Sequence, residues 1–345
     1  MSQRLDLVTP PQADPLSIYR YRDGLYAVDL LCCALVEFNF FTWLKNHPST
    51  FEEICRHFGF HARPTDVMLS LFKANALVEQ NHEILSLTVK GAEFLVEGAH
   101  FSLIPYYASL KDRPVVKDYA KVLTTDKAAN WGSFKNEIDW TKAMEDPGFA
   151  AKFTAAMDCR GIFLAQALCR QLKGNQFNNV LDIGGGSGIY SCSLAAHFPH
   201  LTATVYEKSP VDKIASRLIE ERGYSEKVST FAGNMFEDVL PQGFDAHLYS
   251  NVLHDWPVGM VESLLRKSYS ALPPGGALLI HDAHLNRNKN GPLPVCEYSA
   301  LLMHSTEGKC YGLGEMEQML SAAGFGEFQF KETAVDRSLL QARKQ

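Results

Sequence analysis

The chain has 345 residues, enough for two domains of ordinary size and a sizeable core. With 46% hydrophobic residues, 21% charged residues and a net charge of -6, its composition is that of a soluble globular protein, which excludes disordered and fibrous classes. Mild acidity without a basic patch argues against a nucleic-acid partner, because binding a phosphate backbone requires clustered Lys and Arg to displace its counterions.

In chain order, the amino terminus lacks the apolar core and small-residue cleavage site of a secretory leader, so a cytoplasmic location is expected. From Ile18 to about Leu103 the apolar residues fall at helical spacing, as in Tyr26, Leu30, Leu31 and Leu35. The longest apolar run, Leu30 to Phe41, is interrupted by Glu37 and Asn39. It falls far short of the ~20 residues of a membrane span and reads as a buried helix, so no membrane partner is expected. Thr50 before Phe51-Glu52-Glu53 has the form of an N-cap, and Asp66 to Phe72 begins a further apolar helix. Leu77-Val78-Glu79 and Ile84 to Thr88, separated by a polar turn, then predict a hairpin. Two helices followed by a hairpin resemble a winged helix. The helix at Asp66 carries only Lys73 as a base, which favours packing against a dimer partner or substrate cap over reading DNA.

Tyr106 to about Gly148 is a connecting region, after which helical spacing resumes at Phe149. From Asn179 onward, short β-rich runs alternate with helical stretches, the sign of a parallel sheet covered on both faces. The predicted strands are Val180–Ile183, Ala203–Tyr206, Val228–Phe231, Ala246–Tyr249 and Ala277–Ile280, with Gly324–Lys331 and Leu339–Ala342 as a closing hairpin. The eight cysteines lack any Cys-x-x-Cys spacing, so reduced thiols are expected, with neither a disulfide framework nor a metal site.

The first of these strands runs into Asp182-Ile183-Gly184-Gly185-Gly186-Ser187-Gly188 and then a helix, which is a ligand-binding turn at a sheet's carboxyl edge. Neither the dinucleotide spacing Gly-x-Gly-x-x-Gly nor a P-loop Gly-Lys-Ser/Thr fits these residues. Glu207 ends the next strand, where a carboxylate can accept from both hydroxyls of a ribose. After the third strand, Gly233-Asn234-Met235-Phe236 offers an amide for the edge of an adenine and a thioether for its face.

Taken in order, Asp182 to Gly188, Glu207, Gly233 to Phe236, Leu253-His254-Asp255-Trp256, Leu272-Pro273-Pro274-Gly275-Gly276 and Ala322-Ala323-Gly324-Phe325 resemble the small-molecule O-methyltransferase family. That family includes caffeate, hydroxyindole and bacterial polyketide O-methyltransferases. The resemblance implies a Rossmann-like class I methyltransferase domain, an α/β fold with a mostly parallel seven-stranded sheet and an antiparallel closing strand. It also implies a mainly helical winged-helix dimerisation domain ahead of it. The domains expected are residues 1–105 for dimerisation and 106–345 for catalysis, the latter including connecting helices in 106–175.

The cofactor implied is S-adenosylmethionine. By position, Asp182, Gly184 and Gly186 would hold its methionine part, Glu207 its ribose, and Asn234, Met235 and Ser250 its adenine. His254 matches the family's base and Asp282 the acid that orients it. Phe149, Phe153 and Met157, at helical spacing, match positions lining the acceptor pocket, although such a stripe equally fits a core. The aromatic set Phe149, Phe153, Trp131, Tyr106 and Tyr107 suggests a planar or apolar acceptor, although the same residues equally fit the closing of a small polar pocket.

Three departures stand out. Asn234 replaces an aspartate, Glu207-Lys208-Ser209-Pro210 is one residue longer than the usual acid-x-Pro, and Cys310 replaces the second acid flanking the base in a pocket position. The expected activity is methyl transfer to a hydroxyl, or other nucleophile, of a small aromatic metabolite by a homodimer. Cys310 leaves open a non-methyl use of the cofactor, such as its own cyclisation with release of methylthioadenosine, decarboxylation or pericyclic chemistry.

Overall fold

The computed structural model describes residues 4–129, 143–172 and 177–345; Trp131 lies outside them. The chain forms two compact units. One is assembled from three segments, Met1–Leu16, Asp139–Ala283 and Gly314–Gln345, and the other from two, Ser17–Ile138 and His284–Leu313.

The second unit begins with α1 (Leu16–Asp23), α2 (Ala27–Val36) and α3 (Phe40–Asn46). The apolar run expected as one buried helix is therefore two. Glu37 ends α2, and Asn39 takes a left-handed φ of 46°, a conformation Asn tolerates better than most residues, which turns the chain before Phe40. Both pieces are buried, and among the described residues no single helix is long and apolar enough to cross a membrane.

Helix α4 (Phe51–Phe58) is bounded by its own side chains. Glu53 N donates to Thr50 Oγ1 at 3.3 Å, Thr50 N donates to Glu53 Oε2 at 2.8 Å, and Gly59 closes the far end at φ 67°. Next come α5 (Ala62–Ala74) and the antiparallel hairpin β1 (Val78–Asn81) and β2 (Ile84–Leu87), with His82 in the turn at φ 54°. Phe40, Phe41 and Phe72 cluster between them, with ring centroids 5.0–5.8 Å apart. Then follow α6 (Val89–Phe94), α7 (Ile104–Ala108) and α8 (Pro114–Thr125), so the connecting region is itself partly helical.

In the first unit, α9 (Pro147–Gln171) starts at Asp146, whose Oδ1 accepts from Phe149 N at 2.6 Å. It leads to β3 (Asn179–Ile183), α10 (Ile189–His197), β4 (Thr202–Glu207), α11 (Val211–Glu221), β5 (Val228–Ala232) and β6 (Ala246–Ser250). Helix α12 (Val258–Ala271) and β7 (Ala277–Asp282) follow. The chain then adds α13 (Leu293–Ser305), which belongs to the second unit and packs on α5, before α14 (Leu313–Ala323), β8 (Phe325–Glu332) and β9 (Ser338–Lys344) finish the first.

The sheet has seven strands in the order β5-β4-β3-β6-β7-β9-β8, parallel throughout except for β9, which runs antiparallel to both neighbours. Strands β6 and β7 are buried along nearly their whole length, as central strands of a parallel sheet are. The order reverses between β4 and β6, on either side of β3. In an open α/β sheet that switch point opens a crevice at the carboxyl ends of the strands.

Candidate active site

The carboxyl ends of β3, β4, β5, β6 and β7 deliver Gly184, Glu207, Gly233, Ser250 and Asp282 to one edge of the sheet. The glycine loop leaves β3 with Gly184 at φ 68° and Gly186 at φ 56°, left-handed conformations that a side chain would strain. A Cβ on Gly184 would also press on Val252 at 3.1 Å and lie 3.8 Å from Met235 Sδ. Gly184 N donates to Tyr206 O at 2.9 Å, and Gly186 N donates to Glu207 Oε2 at 3.1 Å, so loop and strand end form one surface.

Asp182 is fully buried at the base of this loop. Its Oδ2 accepts from Ser191 Oγ at 2.8 Å, while Oδ1 is buried without a partner. Burial pushes its pKa up to about 7, with the charge of Glu207 adding to the rise. A buried carboxylate oxygen without a donor is costly, and a ligand's cationic group would relieve it. Glu207 is half-buried; its second oxygen accepts from Lys208 N at 2.9 Å, and burial raises its pKa.

Beyond β5, Asn234 Oδ1 accepts from Phe236 N at 3.0 Å, and Asn234 N donates to Asp238 Oδ2 at 2.8 Å. Asn234 therefore shapes its own turn. Lys267 of α12 fastens that turn, donating to the carbonyls of Met235, Phe236 and Asp238 at 3.0, 2.6 and 2.8 Å. Ser250, half-buried at the end of β6, pairs in register with His281.

That register also brings His254 to Asp282. A 3-10 turn, Leu253–Asp255, follows β6, and His254 Nδ1 is hydrogen-bonded to Asp282 Oδ1 at the end of β7. Asp282 Oδ1 accepts as well from Ala283 N at 2.7 Å. His254 is 3% exposed and Asp282 3%, so the pair is held away from water. Asp255 Oδ1 lies 3.6 Å from His254 Nε2, and burial raises the pKa of Asp255.

Phe149, Phe153 and Met157 lie along one stripe of α9 and are half-exposed, whereas Ala150, Thr154 and Gly161 on the adjoining stripe are buried. The two phenylalanine rings are near-parallel, 13° apart, with centroids at 6.4 Å. Cys310 belongs to the other unit, where it is fully buried and its N donates to Ser299 Oγ at 3.1 Å.

One network has no signature in the sequence. Ser187 Oγ donates to Asp158 Oδ1 at 2.5 Å, Arg222 forms an ion pair with the same carboxylate, and Arg222 also donates to Ser187 O at 2.8 Å. The residues come from α9, the glycine loop and the end of α11, too far apart in sequence for any spacing to flag. Only the position of Asp158, beside Met157 on a helix already marked as functional, offered a hint.

A doubly wound sheet with a glycine loop, a strand-end acid and a carboxylate-held histidine at its switch point defines an enzyme that takes a nucleoside-bearing cofactor at its carboxyl edge. Residues 122–326 match the family model described as an O-methyltransferase domain, more than half of the chain, and the chain belongs to that family. It is an S-adenosylmethionine-dependent methyltransferase of class I fold. The chain is 28% identical to the 3-hydroxy-5-methyl-1-naphthoate 3-O-methyltransferase of Streptomyces sahachiroi, over 92% of each protein. An O-methyltransferase family 2 protein from Planctomyces limnophilus, solved with apigenin, superposes with a TM-score of 0.90 at 27% identity, covering 99% of both chains. Human N-acetylserotonin methyltransferase, solved with S-adenosylmethionine, shares the fold at a TM-score of 0.61 and 22% identity, over 97% of this chain and 99% of that one. The non-methyl uses of the cofactor that Cys310 left open are not favoured.

Proposed function

We propose that the enzyme methylates a hydroxyl of a small, planar aromatic acceptor, with His254 as the base. The observation that carries this reading is the hydrogen bond from His254 Nδ1 to buried Asp282. A carboxylate on Nδ1 keeps the proton there and leaves the lone pair on Nε2, the tautomer that can take a proton from an acceptor. S-adenosylmethionine, when bound, supplies an electrophilic methyl group on a sulfonium centre. The protein's part is to hold cofactor and acceptor in line and to receive the acceptor's proton.

In this reading the unpartnered Oδ1 of Asp182 receives the cofactor's ammonium group, with Gly184 and Gly186 giving its methionine part room. Glu207 has lone pairs remaining for the ribose hydroxyls, and Met235 and Ser250 flank the adenine. Asn234 contributes there chiefly through the turn it shapes, since its side-chain oxygen already accepts from Phe236 N. The half-exposed, near-parallel rings of Phe149 and Phe153, with Met157, line the aromatic face of the acceptor site. The naphthoate acceptor of the Streptomyces relative and the apigenin bound by the Planctomyces protein, both planar phenols, support this choice of acceptor class.

Methyl-labelled S-adenosylmethionine incubated with apigenin and hydroxynaphthoates tests the proposal. Label is expected in a methyl ether, with one S-adenosylhomocysteine formed per transfer. Label remaining in methylthioadenosine, or no transfer to any phenol of the panel, would overturn it.

The unit carrying α4, α5 and the β1–β2 hairpin is read as a winged-helix-like dimerisation element, with no nucleic-acid partner. Its exposed Ile18, Tyr21, Leu25 and Tyr106 support a protein-facing surface. Light scattering on the purified protein should give a mass of about twice 38.5 kDa.

A further inference from the structure

We propose that the second unit carries an anion site, built on Lys73, Lys289 and Lys309, that takes a phosphate group, either as the free ion or as a phosphomonoester. It uses none of the residues assigned to methyl transfer and does not depend on the reading of His254. The three lysines and the one carboxylate they surround, Asp66, all belong to Ser17–Ile138 and His284–Leu313.

Asp66 and Lys73 stand seven residues apart on α5, and so on one face of it. Asp66 Oδ1 accepts from Lys289 Nζ at 2.7 Å and Oδ2 from Lys309 Nζ at 2.5 Å, so each oxygen of the acid holds one ammonium group. Burial opposes the charge of Asp66, but Lys309 and Lys289 outweigh it and hold the carboxyl below its ordinary pKa. The Lys309 side chain is 8% exposed and also lies over the Tyr311 ring, 5.4 Å from its centroid. Lys289 is placed by its backbone, at φ 49° in a loop that Asn286 N closes by donating to Gly291 O at 2.8 Å.

With both oxygens of Asp66 taken, Lys73 Nζ donates to uncharged oxygens, Gln80 Oε1 at 3.2 Å and Asn288 O at 3.4 Å. Both contacts are long for a charged donor, whose bonds to ionised acceptors run at about 2.7–2.9 Å. Burial lowers the Lys73 pKa, Asp66 raises it and the neighbouring charge of Lys289 lowers it again. A half-buried ammonium group seated beside a second one gains from an ion of opposite charge between them.

The chemistry of the donors selects the ion. A carboxylate is filled by two ammonium groups, as Asp66 shows. A tetrahedral phosphate has oxygens and charge for Lys73 and Lys289 together, and lysine serves phosphate as a compact point charge. Lys309, the most buried of the three, offsets the repulsion between Asp66 and the ion. From Asp66 onward Lys73 is the only base of its helix, too little to follow a nucleic-acid backbone. Joined by bases from two distant segments, it suffices for one phosphate.

The test is calorimetric titration of the full chain with inorganic phosphate and, separately, with glycerol phosphate, at constant ionic strength. Saturable binding at one site per chain is expected, and the tighter ligand identifies the free ion or the ester as the one the site is built for. Lys73→Gln and Lys289→Gln should each weaken binding about tenfold, the loss of one charge-assisted contact, while Lys73→Arg retains it. Absence of saturable binding, or an affinity unchanged in Lys73→Gln, would overturn the proposal. A measurement on the unaltered protein covers a variant that fails to fold. Trace acetylation read by mass spectrometry should show phosphate slowing reaction at Lys73 but not at exposed Lys117. Chloride protecting Lys73 as well as phosphate does at the same ionic strength, or no protection by either, would equally sink the idea.

Discussion

Ser187 of the glycine loop donates a 2.5 Å hydrogen bond to Asp158 of α9, one residue beyond Met157. The helix proposed to line the acceptor site is thereby tied to the loop proposed to cradle the cofactor. Arg222, 7% exposed, closes the network from the end of α11 by binding both the carboxylate and the carbonyl of Ser187.

Asp158→Ala should leave the buried guanidinium of Arg222 without its compensating carboxylate, at a cost of about 3 kcal/mol of stability. The released loop should bind S-adenosylhomocysteine roughly 10-fold more weakly, a loss of about 1.4 kcal/mol. Denaturant titration and calorimetry read the two effects separately. Unchanged cofactor affinity would show that the network serves stability alone.

His254→Ala and Glu207→Ala should separate chemistry from binding. The first is expected to keep S-adenosylhomocysteine affinity within about twofold while lowering kcat by roughly 10²–10⁴. The second should weaken cofactor binding by about 1–3 kcal/mol, with kcat at saturation much less affected. Calorimetry with initial-rate kinetics distinguishes them, and equal losses in both quantities for either variant would contradict the assigned roles.

Asp182 predicts a pH dependence that the cofactor reverses. Its folded-state pKa of about 7 lies above the ordinary 3.8, so folding favours the protonated form. In the free enzyme this contribution is fully present below about pH 4 and is lost as pH rises through about 7. Asp182→Asn should therefore stabilise the free enzyme by roughly 2 kcal/mol at pH 8 while losing most cofactor affinity. Melting curves at pH 5 and 8, with and without S-adenosylhomocysteine, provide the check. A variant equally stable at both pH values relative to the parent would rule out a raised pKa.

His247, fully buried on β6 with neither ring nitrogen partnered, is a core residue and no ligand. Burial lowers its pKa to about 3, so it folds neutral. The unfolded chain binds a proton that the folded one refuses between about pH 6.5 and 3, and stability falls with pH through that window. His247→Leu should raise stability at pH 7 by about 1–2 kcal/mol and flatten the acid limb, as read by melting curves across pH.

The fold was legible wherever local chemistry carried it. The parallel strands announced themselves as short apolar runs, and the α4 cap as Thr50 followed by Glu53. The break at Asn39 was not, because one left-handed residue leaves no periodic trace. At the site, the glycine loop could be narrowed by spacing alone. The pairing of His254 with Asp282, 28 residues apart, came only through resemblance, since it depends on the register of β6 against β7. Asp158 and Lys267 were silent for the same reason: their meaning lies in which neighbours a tertiary contact gives them.

The three-segment make-up of the first unit has an evolutionary and practical consequence. Arg4 and Leu5 are sewn to Arg222, Gly223 and Tyr224, with Tyr224 Oη donating to Leu5 O at 2.8 Å, while Ser17–Ile138 and His284–Leu313 build the other unit. A chimera that swapped residues 1–105 as a block would graft a foreign strap onto the catalytic unit and leave α13 behind. Exchange of acceptor preference between relatives by recombination therefore calls for several crossovers at once, which favours divergence by point substitution within this architecture.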